Sequence, residues 1–144
     1  MPVRRRVLIA DDDACFREVL QQYLQKAGFS VCSAHNARAA FAIGRELSLD
    51  YIILDLGLPH LDLEWFMRLV RQGAITPDAH VLLVTGAGAG PLETWSRRLG
   101  VSLHLVKSTF SLERLIELIE GLEGTLPPAI ASSEGVEQDE TACA

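Results

Sequence analysis

Four carboxylates stand where short apolar runs end. Val7-Leu8-Ile9-Ala10 leads into Asp11-Asp12-Asp13, and Tyr51-Ile52-Ile53-Leu54 leads into Asp55. Val81-Leu82-Leu83-Val84 ends in Thr85, and Leu103-His104-Leu105-Val106 ends in Lys107. If these runs are neighbouring strands of a parallel sheet, Asp11, Asp12, Asp55, Thr85 and Lys107 meet on one edge. Carboxylates brought together raise one another's pKa, and a hard divalent cation relieves the repulsion. Oxygen ligands with no nearby His or Cys favour Mg²⁺. Lys107 and the Thr85 hydroxyl beside such a metal suit a phosphoryl group, and a carboxylate nucleophile can accept one as an aspartyl phosphate.

The elements that must position these residues follow from hydrophobic spacing. Phe16, Val19, Leu20, Tyr23, Leu24 and Ala27 recur with helical period, and Gly28 sits where a C-terminal glycine belongs. Residues 29–34 form a second strand, and 37–47 a weaker helix interrupted by Gly44. Asp62 caps a third helix that runs to Arg71 with Leu63, Phe66, Met67 and Val70 on one face. Pro91 opens a fourth helix that stops at Gly100, and Ser111 caps a fifth, stapled by Phe110 and Leu115. Trp95 and Leu99 are read as core rather than as a partner anchor. Strand and helix alternate five times, which predicts an α/β fold: a parallel sheet with helices on both faces. Ligands of such sheets bind beyond the carboxyl ends of the strands.

Composition narrows the classes. The chain has 144 residues and a formal net charge of −6, which argues against direct contact with nucleic acid. Arg4-Arg5-Arg6 is read as a solvated flank of the first strand. Cys15, Cys32 and Cys143 have neither disulfide-framework nor zinc spacing, as expected for a reducing, cytoplasmic compartment. The N-terminal run Val7-Leu8-Ile9-Ala10 is too short for a signal peptide or a membrane span. After Gly124 the chain carries four acids and no Lys or Arg, so residues 1–124 are expected to form the domain and 125–144 a flexible acidic tail or linker.

The pieces V-L-I-A-D-D-D, Y-I-I-L-D-L-G-L-P, V-L-L-V-T-G and L-V-K together resemble the receiver domain of two-component response regulators, over residues 6 to about 122. The resemblance implies a flavodoxin-like (βα)5 fold with strand order 2-1-3-4-5. It implies that Asp55 is the phosphoacceptor for a sensor histidine kinase or phosphotransfer protein, and that the chain is not a turnover enzyme. Asp12, Asp55 and the Gly57 carbonyl would hold Mg²⁺, with Asp11 assisting through water. Thr85 and Lys107 would hold phosphoryl oxygens, and His104 would occupy the position that repacks when Thr85 moves. A downstream protein would bind the surface of the fourth helix, fifth strand and fifth helix, and a phosphorylation-dependent homodimer is a further candidate. Gly57 and Ala87 would shape water access to the acyl phosphate.

The chain departs from the family at two places. Lys107-Ser108-Thr109-Phe110 replaces the usual Lys-Pro-Phe, and Leu63 replaces a glycine. Without proline, a cis peptide costs about 2.5–4 kcal/mol, so a trans Lys107-Ser108 bond and a looser loop are expected. Asp13 fits helix capping better than metal binding. His35, His60 and His80 form no cluster. Two competing readings are a receiver-like module that does not switch by phosphorylation, favoured by the altered loop and His104, and an aspartate-dependent phosphatase of the haloacid dehalogenase kind. The latter wants Asp-x-Asp after its first strand, whereas this candidate nucleophile ends the third.

Overall fold

The computed structural model describes residues 4–73, 75–76, 78–86 and 90–130, with the backbone alone for 90–93. Five strands alternate with five helices: β1 (Arg6–Ala10), α1 (Ala14–Lys26), β2 (Ser30–Ala34), α2 (Ala37–Glu46), β3 (Tyr51–Asp55), α3 (Leu63–Arg71), β4 (His80–Thr85), α4 (Gly90–Arg98), β5 (Leu103–Val106) and α5 (Leu112–Leu122). All strand pairs are parallel, in the order β2-β1-β3-β4-β5. This is the expected doubly wound sheet.

Side chains alternate across each strand, so each run feeds two cores. Leu8, Ile52, Leu54, Val81 and Leu83 pack with Ala40 of α2 and with Phe66, Met67 and Val70 of α3. Val7, Ile9, Ile53, Leu82, Val84 and Leu105 pack with Leu20 and Leu24 of α1 and with Leu115 and Ile119 of α5. The continuous apolar runs are therefore buried on both faces, as crossover connections require. Gly44 belongs in α2 for a packing reason: a Cβ there would stand 3.3 Å from Ile75 Cβ.

Helix starts follow the sequence. Asp13, Asn36, Asp62 and Ser111 each accept a backbone N–H at the start of a helix. Helix α4 begins at Gly90, one residue before Pro91. Trp95 departs from the expectation: it is 36% exposed, while Leu99 packs partly against the core. No helix among the described residues is long and apolar enough to cross a membrane.

Candidate phosphoacceptor site

Register brings the acidic residues together. Ala10 pairs with Leu54, so Asp11 and Asp55 leave adjacent strands at nearly one level. These two strands flank the switch point of the sheet, where chain order reverses. The next residue, Asp12, joins them: ligand oxygens of Asp11, Asp12 and Asp55 all lie within 4.8 Å of one another. Asp11 and Asp55 are buried, at 1% and 7% exposure, whereas Asp12 faces solvent and leaves an entry path.

Lys107 supplies the nearest positive charge. Its Nζ lies 2.9 Å from Asp11 Oδ2 and 3.7 Å from Asp55 Oδ2. The shorter contact is an ion pair, because Asp11 Oδ2 makes no hydrogen bond of good geometry. Burial pulls the Lys107 ammonium down, but the contact and charge of Asp11, followed by Asp55 and Asp13, outweigh it and hold the pKa above the ordinary lysine value. The Phe16 ring lies 4.5 Å beneath the same ammonium, and Phe110 meets Phe16 edge-on at 6.4 Å. The Phe16 contact was not anticipated from the sequence, where Phe16 reads as one more apolar position of α1. Its place one turn after Asp12-Asp13 is the available signal. Arg17 was also missed; its Nη1 donates to the Asp11 carbonyl at 2.7 Å.

Asp55 is held by its own turn. The Gly57 amide donates to Asp55 Oδ1 at 2.9 Å, and Leu58 N closes the turn onto the Asp55 carbonyl. Burial pushes the Asp55 carboxyl up. The Gly57 amide pulls it back, the charge of Asp11 raises it, Lys107 lowers it and Asp12 raises it; the net shift is upward. Three hard oxygen donors, one buried oxygen served only by an ion pair, and an exposed entrance suit Mg²⁺.

Thr85 arrives on a different face. It continues the Leu83 series of β4, and Leu83 is directly opposite His104 on β5. Thr85 lies two residues further along the same face, and its Oγ1 is 3.1 Å from His104 Nε2. Beyond β5, Lys107 N donates to Thr85 O, and Thr109 N and Oγ1 both bond Val106 O. The Lys107-Ser108-Thr109 loop is thus a closed turn rather than the looser loop expected, because Thr109 ties it to the strand end. The described residues contain no cis peptide bond. Ala87 lies outside the described residues.

Residues 7–120 match the response regulator receiver domain family. The chain belongs to that family. It is 32% identical over 140 residues to the transcriptional regulatory protein FixJ of Bradyrhizobium diazoefficiens, covering 96% of this chain and 66% of FixJ. It spans 47% and 24% of two other curated relatives. The receiver fold superposes on the chemotaxis response regulator CheY4 of Vibrio cholerae with a TM-score of 0.75 at 26% identity, covering 83% of this chain and 99% of that one. A beryllofluoride-activated NtrC4 receiver domain dimer is similar at TM-score 0.73 and 28% identity, over 81% of this chain and 93% of that one. Membership excludes the phosphatase reading, and this receiver is a two-component signalling domain.

Proposed function

We propose that this receiver accepts a phosphoryl group on Asp55 from a sensor histidine kinase or phosphotransfer protein, and that this changes its affinity for a downstream partner. An Asp55 carboxylate oxygen attacks phosphorus. The new P–O bond forms as the P–N bond of the donor phosphohistidine breaks, and the imidazole nitrogen keeps the electron pair and takes up a proton. Mg²⁺ held by Asp11, Asp12, Asp55 and the Gly57 carbonyl would supply positive charge to the transferring oxygens. Lys107, already beside Asp55, turns its ammonium to a phosphoryl oxygen. Thr85 donates its hydroxyl to another after leaving His104. Departure of Thr85 frees His104 to repack against the α4–β5–α5 surface, where the exposed Trp95 offers a contact for a protein partner or a second copy. Water then hydrolyses the acyl phosphate without a turnover cycle.

The observation that carries this reading is the Lys107 ammonium in contact with two of three clustered carboxylates. It weighs against a module that has lost its phosphorylation chemistry. The unpaired Cys15 and Cys32 fit a cytoplasmic setting. The test is labelling by acetyl phosphate with Mg²⁺, followed by intact mass. A gain of one phosphoryl group that disappears in Asp55→Asn is expected. Equal labelling of that variant would move the nucleophile elsewhere.

A further inference from the structure

The foot of the sheet, opposite Asp55, carries a group that the site does not use. His80 opens β4 and is 4% exposed. Its ring stacks on Tyr51, with centroids 6.0 Å apart and planes at 17°. Nδ1 lies 2.6 Å from Ser102 Oγ, while Nε2 lies 3.0 Å from the Thr125 carbonyl oxygen and 3.1 Å from Thr125 Oγ1.

These partners decide where the ring carries its hydrogen. A carbonyl only accepts, so Nε2 must donate. The Thr125 hydroxyl donates to the Leu122 carbonyl, which leaves its oxygen to accept from Nε2–H as well. In the neutral ring Nδ1 accepts from Ser102. In a charged ring that bond reverses direction, and both contacts to Thr125 survive. The clasp therefore holds in either charge state of His80.

The chain beyond Thr125 stays on the molecule. A Cβ on Gly100 would stand 3.0 Å from the Pro128 carbonyl oxygen, 3.5 Å from Ile130 N and 3.2 Å from Arg71 Nε. Gly100 has φ +93°, so glycine is required there twice, by backbone and by space. Arg71 braces the same corner, with Nη1 on the Ala79 carbonyl and Nη2 on the Gly100 carbonyl. Pro127, Pro128 and Ile130 are partly buried. The two prolines restrict the free chain, so less entropy is lost when the segment docks.

We propose that residues 125–130 are a docked strap rather than a free linker, with His80 as its clasp and Gly100 as its seat. The strap sets the direction in which the chain leaves the domain. Any segment beyond residue 130 then starts from a fixed point at the foot of β4 and β5, the two strands whose heads carry Thr85 and Lys107.

Backbone ¹⁵N relaxation of the full chain tests this. Leu126, Ala129 and Ile130 should show order parameters near those of the strands, about 0.8. His80→Phe keeps a ring on Tyr51 but removes both clasp bonds; the same residues should fall below about 0.6 while β1 and β3 stay unchanged. Values below about 0.6 in the native chain, or no change in the variant, overturn the strap. Should His80→Phe fail to fold, the ¹⁵N shifts of the native His80 ring decide: an Nε2–H tautomer is expected, and an Nδ1–H tautomer removes the clasp.

Discussion

Thr85 and His104 share a hydrogen bond at 3.1 Å across the β4–β5 pair. The family usually places an aromatic ring at the His104 position, which can pack against a threonine methyl but, as Phe, cannot bond its hydroxyl. Here the switch candidate grips the group proposed to receive the phosphoryl oxygen. On the proposed mechanism this bond has to break before Thr85 can move. A hydrogen bond of this kind contributes on the order of 1 kcal/mol, a factor of about five. His104→Phe should therefore raise the phosphorylated fraction at limiting acetyl phosphate by up to about fivefold, read by intact mass. An unchanged fraction would mean that the bond persists in the phosphorylated state.

Lys107 neutralises a buried charge as well as facing Asp55. Lys107→Met leaves Asp11, at 1% exposure, without its cation. An unsatisfied buried group costs about 1–3 kcal/mol, so urea unfolding of the metal-free chain should show a loss of that size. Asp11→Asn in the same background should recover most of it, and a purely additive double variant would break the proposed pairing. The pKa of Lys107 is raised in the fold, so its stabilisation is complete below 10.5 and is lost as pH rises through the folded value. The gap between native chain and Lys107→Met should be constant near neutral pH and close only in strong alkali.

Asp55 has the opposite linkage to an ordinary ion-paired carboxylate. Its pKa is raised above 3.8, so between that value and the folded one the native state binds more protons than the unfolded state. Stability from this group falls as pH rises through that window. At pH 7 without metal, Asp55→Asn should be more stable than the native chain, by on the order of 1 kcal/mol. The advantage should fade on acidification through the window. Denaturant midpoints measured from pH 7 to pH 4 check it, and an advantage that grows toward acid would reverse the assignment.

Mg²⁺ should stabilise the fold through the three carboxylates. At a tenfold excess over Kd, one site contributes about 1.4 kcal/mol. The thermal midpoint should rise with MgCl2 in the native chain, and the rise should be mostly lost in Asp12→Ala. Asp12 is exposed, so the variant is expected to fold. An equal rise in both proteins would place the metal elsewhere.

The sequence by itself determined the alternation of elements, the strand-end placement of Asp11, Asp12, Asp55, Thr85 and Lys107, and the helix caps at Asp13, Asp62 and Ser111. Those signals are local: an apolar run, its last polar residue and a capping side chain all lie within a few positions. Tertiary structure decided what each group touches. Asp11 and Asp55 both continue strand series that pack on α1 and α5, and only the packed geometry makes Asp11 the nearer partner of Lys107, at 2.9 Å against 3.7 Å, with Phe16 beneath the ammonium. Trp95 lies at the surface, 36% exposed, although its spacing reads as core. His80 carried no legible role, since its clasp on Thr125 joins residues 45 positions apart. Composition marks residues 125–130 as tail, yet Pro128 lies against Gly100, and only the packed corner of Arg71, Gly100 and Ala79 gives that short segment a surface to rest on.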